Sequence, residues 1–233
     1  KQMKDTGIWA ISYGFESFSP IVLKSMGKPI TQKLIENAVN ETLKAGIALQ
    51  GNFIFGDIAE TTETAKETLD WWKKNAKGQI NLAFIQPYPG SKIYKHCLEK
   101  GLIKDKSDFI INNLGNDFFI NMTDNMSDDE YFQLRRSVNE AIAKYIKYIS
   151  PENLKKVREH VYDIEVICPY CKKLQNYKNC FIKNRIIYGF NTVCRNCRYR
   201  FYTVGQLKKM GYKYYPQIRF LRNIKQRLKR IIK

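Results

Sequence analysis

The chain has 233 residues, 44% of them apolar and 13% aromatic, enough to bury one large domain or two small ones. This composition excludes a disordered tail, a collagen and a coiled-coil rod, and no window approaches the roughly 18 uncharged apolar residues of a membrane span. The net charge of +18 is divided unevenly: residues 1–150 hold 19 Lys and Arg against 18 Asp and Glu, whereas residues 151–233 hold 21 against 4.

In chain order, residues 8–13 form an apolar run that predicts a buried strand, and Gly14-Phe15-Glu16-Ser17 follows as a turn. Residues 31–45 place Leu34, Ile35, Ala38, Val39 and Leu43 on one helical stripe that ends before Gly46. Residues 47–55 form a second strand, and residues 61–76 a second helix capped by Thr61 or Thr62, with Leu69 and Trp72 on one face. Residues 80–86 form a third strand, closed by Pro87-Tyr88-Pro89-Gly90, and residues 91–100 a third helix. Alternation at this spacing predicts βα units and a parallel sheet. The near-continuous apolar strands predict that both of its faces are covered. In such sheets ligands bind at the turns that follow the strand C-termini.

Residues 109–126 read as irregular. Ser127-Asp128-Asp129-Glu130 is a capping box that opens a helix to about residue 149, with Tyr131, Leu134, Val138, Ile142, Tyr145 and Ile149 as its apolar stripe. Pro151 breaks it, and the boundary between the two units is expected near residues 160–166. Residues 218–233 read as a basic amphipathic helix.

The cysteines carry the strongest local signal. Cys168-Pro-Tyr-Cys171 and Cys194-Arg-Asn-Cys197 are two CxxC pairs, each able to aim two thiolates at one ion; together they complete a tetrahedral S4 site. Structural zinc is the expected occupant, with residues 185–193 as strand and turn between the pairs; a rubredoxin-like iron site and redox thiols are the alternatives. Cys180 lies within the ribbon and Cys97 reads as a buried residue on a helix. The histidines, His96 and His160, have no partner at ligand spacing.

Three motifs then follow in order: Gly14-Phe15-Glu16-Ser17, Phe53-Ile54-Phe55-Gly56 with Glu60-Thr61, and Pro87-Tyr88-Pro89-Gly90-Ser91. In this order residues 1 to about 100 resemble the later strands of a radical SAM (S-adenosylmethionine) domain. The group resembled is the one whose relatives carry a cobalamin-binding or methylthiotransferase domain. The resemblance implies a partial (βα) barrel with SAM across the strand C-termini. By it, Glu16 and Ser17 sit at the turn that meets the ribose or amino-acid end of SAM, Asn52 faces the ribose, Ile54 packs on adenine and Gly56 lets the backbone approach. It also places a lysine after the first turn, at Lys28. The second loop lacks the Pro-Gly of the pattern, and the CxxxCxxC that holds the family's [4Fe–4S] cluster is absent. The simplest account is that the cluster-binding part lies upstream of Lys1.

The expectation is therefore an α/β chain in four parts. Residues 1–110 are the C-terminal half of a radical SAM barrel, 111–165 a helical extension, 166–204 a zinc ribbon and 205–233 a basic tail. It implies an enzyme that uses SAM, a [4Fe–4S] cluster bound elsewhere and structural zinc, with cobalamin left open and methyl transfer or oxidative modification as outcomes. The alternative is a zinc-ribbon binding module on an inactive barrel remnant. The aromatic and basic residues of 166–233 suit RNA or an anionic membrane surface, and the expected location is cytoplasmic or peripheral at a membrane.

Overall fold

The structure, a computed structural model, describes residues 2–115, 120–212 and 214. The basic tail expected over residues 218–233 lies outside the described residues. A short helix α1 (Gln2–Asp5) leads into β1 (Ala10–Glu16), then α2 (Pro20–Ser25) and α3 (Gln32–Lys44). β2 (Ala48–Phe55) is followed by α4 (Thr62–Trp71), which widens into a π-helical turn over Trp72–Ala76 before β3 (Ile80–Phe84). After them come α5 (Lys92–Glu99), the brief α6 (Lys106–Asp108) and the long α7 (Asp128–Tyr145).

The helix starts follow local chemistry. Thr31, Thr61, Ser91 and Ser127 each accept a hydrogen bond from the third backbone N–H of the helix they open, which satisfies one of its orphan donors. At Thr61 and Ser127 the return bond is present as well, the backbone N–H of each donating to the side chain of Thr64 or Glu130.

β1, β2 and β3 pair in parallel in that order, with Gly14 beside Asn52 and Asn52 beside Asn81. One sheet face, with Phe15, Leu49, Phe53, Phe55 and Ile80, packs against α3, α4 and α7 in the main core. Trp72 is fully buried there and its indole N–H donates to the Ile80 carbonyl at 2.7 Å. The other face is different. It carries Ser12, Gly14, Asn52, Ile54, Asn81 and Ala83, none of them buried among the described residues. The expectation of a sheet covered on both faces is corrected here. The apolar runs conceal a second alternation, in which the side chains of this face, Ile54 apart, are small or polar.

The helix expected to reach residue 149 ends at Tyr145, and Tyr148–Ile149 instead form β4. The next two strands, β5 (Asn153–Arg158) and β6 (Val161–Ile167), occupy part of the expected helical extension. With β7 (Leu174–Phe181) they make an antiparallel sheet. β8 (Gly189–Val193) and β9 (Arg200–Val204) form a hairpin, and β4 joins its far edge in parallel. These two sheets share two small cores, one around Tyr162, Ile164, Ile182 and Tyr188 with Phe190 of β8, the other around Val166, Cys168, Cys194 and Phe201.

Candidate ligand edge and cysteine centre

β1 ends in a bulge between Gly14 and Glu16, and Glu16 takes a positive φ of 64°. This turns its carboxylate back over the open sheet face: Glu16 Oε1 lies 2.8 Å from where a Cβ on Gly14 would stand. Only glycine fits there without displacing that carboxylate. Lys28 Nζ pairs with the same oxygen at 2.9 Å. Across the sheet, Asn81 Nδ2 donates to Asn52 Oδ1 at 3.2 Å. A carboxylate, an ammonium and two amides thus form a polar row over three strands. Ile54 lies two residues beyond Asn52 on the same face, and Gly56 follows β2 with φ +97°.

The structure therefore brings Glu16, Asn52 and Ile54 onto one face, with Gly56 at its edge. It does not bring Ser17 there. Ser17 is buried, its hydroxyl 3.1 Å from the Thr68 hydroxyl and accepting from Ser19 N–H, so it fastens the β1–α2 turn to α4. Sequence reading passed over Asn81. The available signal was a single amide within an apolar strand, in register with Asn52.

Glu60 lies beneath the same edge. It is fully buried and its Oε2 accepts from Gly56 N–H, while Oε1 has no hydrogen-bond partner among the described residues. Burial raises its pKa to about 8, the Gly56 bond opposes this, and Asp57 adds to it. A carboxyl whose folded pKa lies above its unfolded value binds its proton more tightly when folded. Its stabilising effect is complete below about pH 4.5 and is lost as pH rises toward about 8. Stability is therefore expected to fall across that window by at most about 1.4 kcal/mol per pH unit from this group. Glu60→Gln, which keeps an acceptor for Gly56, should remove this slope in denaturant titrations at stepped pH; an unchanged slope would assign it to other groups.

The second centre is made by the two CxxC turns. Cys168, Cys171, Cys194 and Cys197 place their sulfurs within 4.8 Å of one another, with Cys168–Cys197 at 3.7 Å and Cys171–Cys194 at 3.6 Å. Sulfurs bound tetrahedrally to zinc at about 2.3 Å stand about 3.8 Å apart, so the two closest pairs already have the spacing such an ion requires. Burial raises Cys168, whereas at Cys171 the effect of burial is outweighed by the Lys173 N–H and neighbouring thiols, which bring it to about 6. Four thiols this close cannot all ionise without a cation among them. Cys97, buried and raised to about 11, and Cys180 lie outside the cluster.

A polar latch joins the two centres. Gln79, at the start of β3, accepts from Arg200 N–H at 2.6 Å and donates to the Arg200 carbonyl at 3.1 Å. The buried Arg200 guanidinium donates to the Gln79 carbonyl at 3.3 Å and to Asn81 Oδ1 at 3.4 Å. Tyr170, between the first two cysteines, donates to the Lys77 carbonyl at 2.8 Å.

The fold and these sites define a mixed α/β protein with a candidate ligand edge at its strand C-termini and a separate tetracysteine centre. No protein-family model matches the chain. It is 32% identical over 103 residues to an uncharacterized methyltransferase of Pyrococcus horikoshii, covering 44% of this chain and 22% of that protein. It is 30% identical over 105 residues to bacteriochlorophyllide d C-8(2)-methyltransferase of Chlorobaculum tepidum, covering 44% and 23%. The bacteriochlorophyllide d C-12(1)-methyltransferase of the same organism is 30% identical over 96 residues, covering 41% and 21%. The chain thus spans less than a quarter of the length of the curated relatives it matches. Among the described residues no helix is long and apolar enough to cross a membrane.

Proposed function

We propose that the chain is part of a SAM-dependent methyltransferase of the radical SAM kind, in which the open face of β1–β3 contacts SAM and the tetracysteine module holds structural zinc. The observation that carries this reading is the polar row at the strand ends. Glu16, Asn52 and Asn81 offer acceptors and donors for ribose hydroxyls and for the ammonium of SAM, and Ile54 offers an aliphatic surface for adenine. The matches to methyltransferases support the methyl-transfer form of it.

The [4Fe–4S] cluster of radical SAM chemistry does not fit the residues present. Apart from the tetracysteine set, the chain has only Cys97 and Cys180, which cannot supply three thiolates to a cluster. The proposal therefore assigns this chain to holding SAM, with the cluster bound by another part of the intact enzyme and cobalamin as a further candidate cofactor there. Equilibrium dialysis with labelled SAM tests the assignment. Asn52→Ala and Glu16→Ala should each weaken binding by about tenfold, the loss expected when one polar contact to the ligand is removed. No binding of SAM, or binding that neither substitution alters, would overturn it. In the intact enzyme, release of 5′-deoxyadenosine after reduction distinguishes radical chemistry from direct methyl transfer.

A further inference from the structure

We propose that one end of the β5–β6–β7 sheet, together with the loop between β7 and β8, is a docking surface for an anionic phospholipid bilayer. At this end four apolar side chains face outward: Phe181 is 69% exposed, Ile187 62%, Ile186 58% and Val157 51%. They belong to neighbouring segments. The β5–β6 turn pairs Arg158 with Val161, Val161 pairs with Phe181, and Ile182 N–H donates to the His160 carbonyl at 2.7 Å. The loop folds back on the same end, with the Arg185 guanidinium 5.7 Å from the centre of the Tyr162 ring. Its two isoleucines are adjacent in sequence, and both their N–H groups donate to the Asn184 side chain, which braces the loop that presents them.

Charge selects the occupant. Lys155, Lys156, Arg158, Lys183 and Arg185 are exposed around these apolar tips, with Glu159 and, opposite Lys155 and paired with Lys178, Asp163 as the acids among them. Beyond Glu165 the chain has 18 basic residues and no acidic one. Projecting aliphatic side chains ringed by cations suit the boundary between acyl chains and anionic headgroups. The surface is made of turn and loop tips.

The structure favours lipid over RNA for a second reason. Stacking on bases needs aromatic rings with an open face. Among the described residues Phe181 presents such a ring at these tips, whereas the aromatic residues around the cysteine centre are engaged. Tyr170 stacks on Tyr199 with centroids 4.9 Å apart, Tyr177 donates to the Val193 carbonyl at 2.8 Å beneath Arg195, and Tyr188 and Phe201 are buried. What remains exposed is mainly aliphatic.

Cosedimentation of the full chain with vesicles tests the proposal. Vesicles of phosphatidylcholine with about 30% phosphatidylserine should bind it at least about tenfold more tightly than pure phosphatidylcholine. That advantage should shrink several-fold between about 0.1 M and about 0.4 M salt. Ile186→Asp with Ile187→Asp should weaken binding about tenfold with an unchanged circular dichroism spectrum. Phe181→Glu, on the neighbouring strand, provides an independent second variant should the first misfold. Residues 215–233 remain in every variant, so binding that both variants leave intact would overturn the proposal. It is also overturned if anionic vesicles are not bound, or if a single-stranded RNA binds more tightly and loses affinity in the same variants.

Discussion

Cys194→Ser is expected to abolish zinc binding and to unfold the cysteine module while leaving the parallel α/β layer folded. Cys194 is fully buried, and its backbone holds the knuckle through Cys194 N–H to the Tyr199 carbonyl and Arg198 N–H to the Cys194 carbonyl. A serine hydroxyl is a poor ligand for a thiolate-selective site and leaves a buried polar group in an apolar cluster. Zinc in a tetrathiolate site contributes roughly 10–16 kcal/mol of apparent binding free energy, more than small sheets with such limited cores supply for themselves. The two halves have separate cores, and the Gln79–Arg200 latch is the main polar joint between them. Loss of the module should therefore expose the start of β3 without dissolving the core around Trp72. Metal analysis should fall from one zinc per chain to none. Hydrogen exchange should lose protection in β8 and β9 and keep it in β2. Retention of the metal, or unchanged protection in β8 and β9, would refute the tetrathiolate assignment. Loss of protection throughout would show instead that the latch makes the chain one cooperative unit.

The parts of this architecture written in local chemistry were legible from sequence. The strands of the parallel sheet and the longer helices between them follow from periodicity, and Thr61 and Ser127 announce the helices they cap. The tetracysteine set follows from spacing alone, because two CxxC turns can meet only if the intervening chain folds back. What was not legible depends on partners far away in the chain. α7 stops at Tyr145 because Tyr148 and Ile149 pair with Tyr202 and Thr203, more than fifty residues later. Residues 153–158 fall within the expected helical extension, yet they form an edge strand whose register is set by β6. Ser17 appears equivalent to Glu16 in sequence. The positive φ at Glu16 sends the two side chains to opposite sides, one over the open face and one into contact with Thr68. Arg200 reaches Asn81 only because the module docks on the β3 turn, and no local pattern announces that contact.

Gly56→Ala is expected to destabilise the chain by about 2–5 kcal/mol, through two separable effects. Gly56 has φ +97°, where an L-residue carries a cost of about 1–2 kcal/mol. A Cβ there would also stand 2.9 Å from Tyr131 Oη and 3.4 Å from its Cε2. Tyr131 cannot easily yield. It is fully buried on α7, set edge-on to Phe84 at 5.8 Å, and burial raises its hydroxyl pKa to about 12. Overpacking against such a neighbour typically adds about 1–3 kcal/mol. For a chain of this size the combined effect lowers the thermal midpoint by on the order of 5–15 °C. The substitution should also disturb ligand binding, because Gly56 N–H donates to the Glu60 carboxyl that holds the β2–α4 turn at the end of the proposed SAM face. A double-mutant cycle with Tyr131→Phe separates the two effects. Removing the hydroxyl should return about 1–3 kcal/mol in the Gly56→Ala background beyond its effect in the parent chain. Strict additivity would assign the whole cost to backbone strain. The turn would then be set by the φ of Gly56 alone, and the contact with α7 would play no part in shaping the ligand edge.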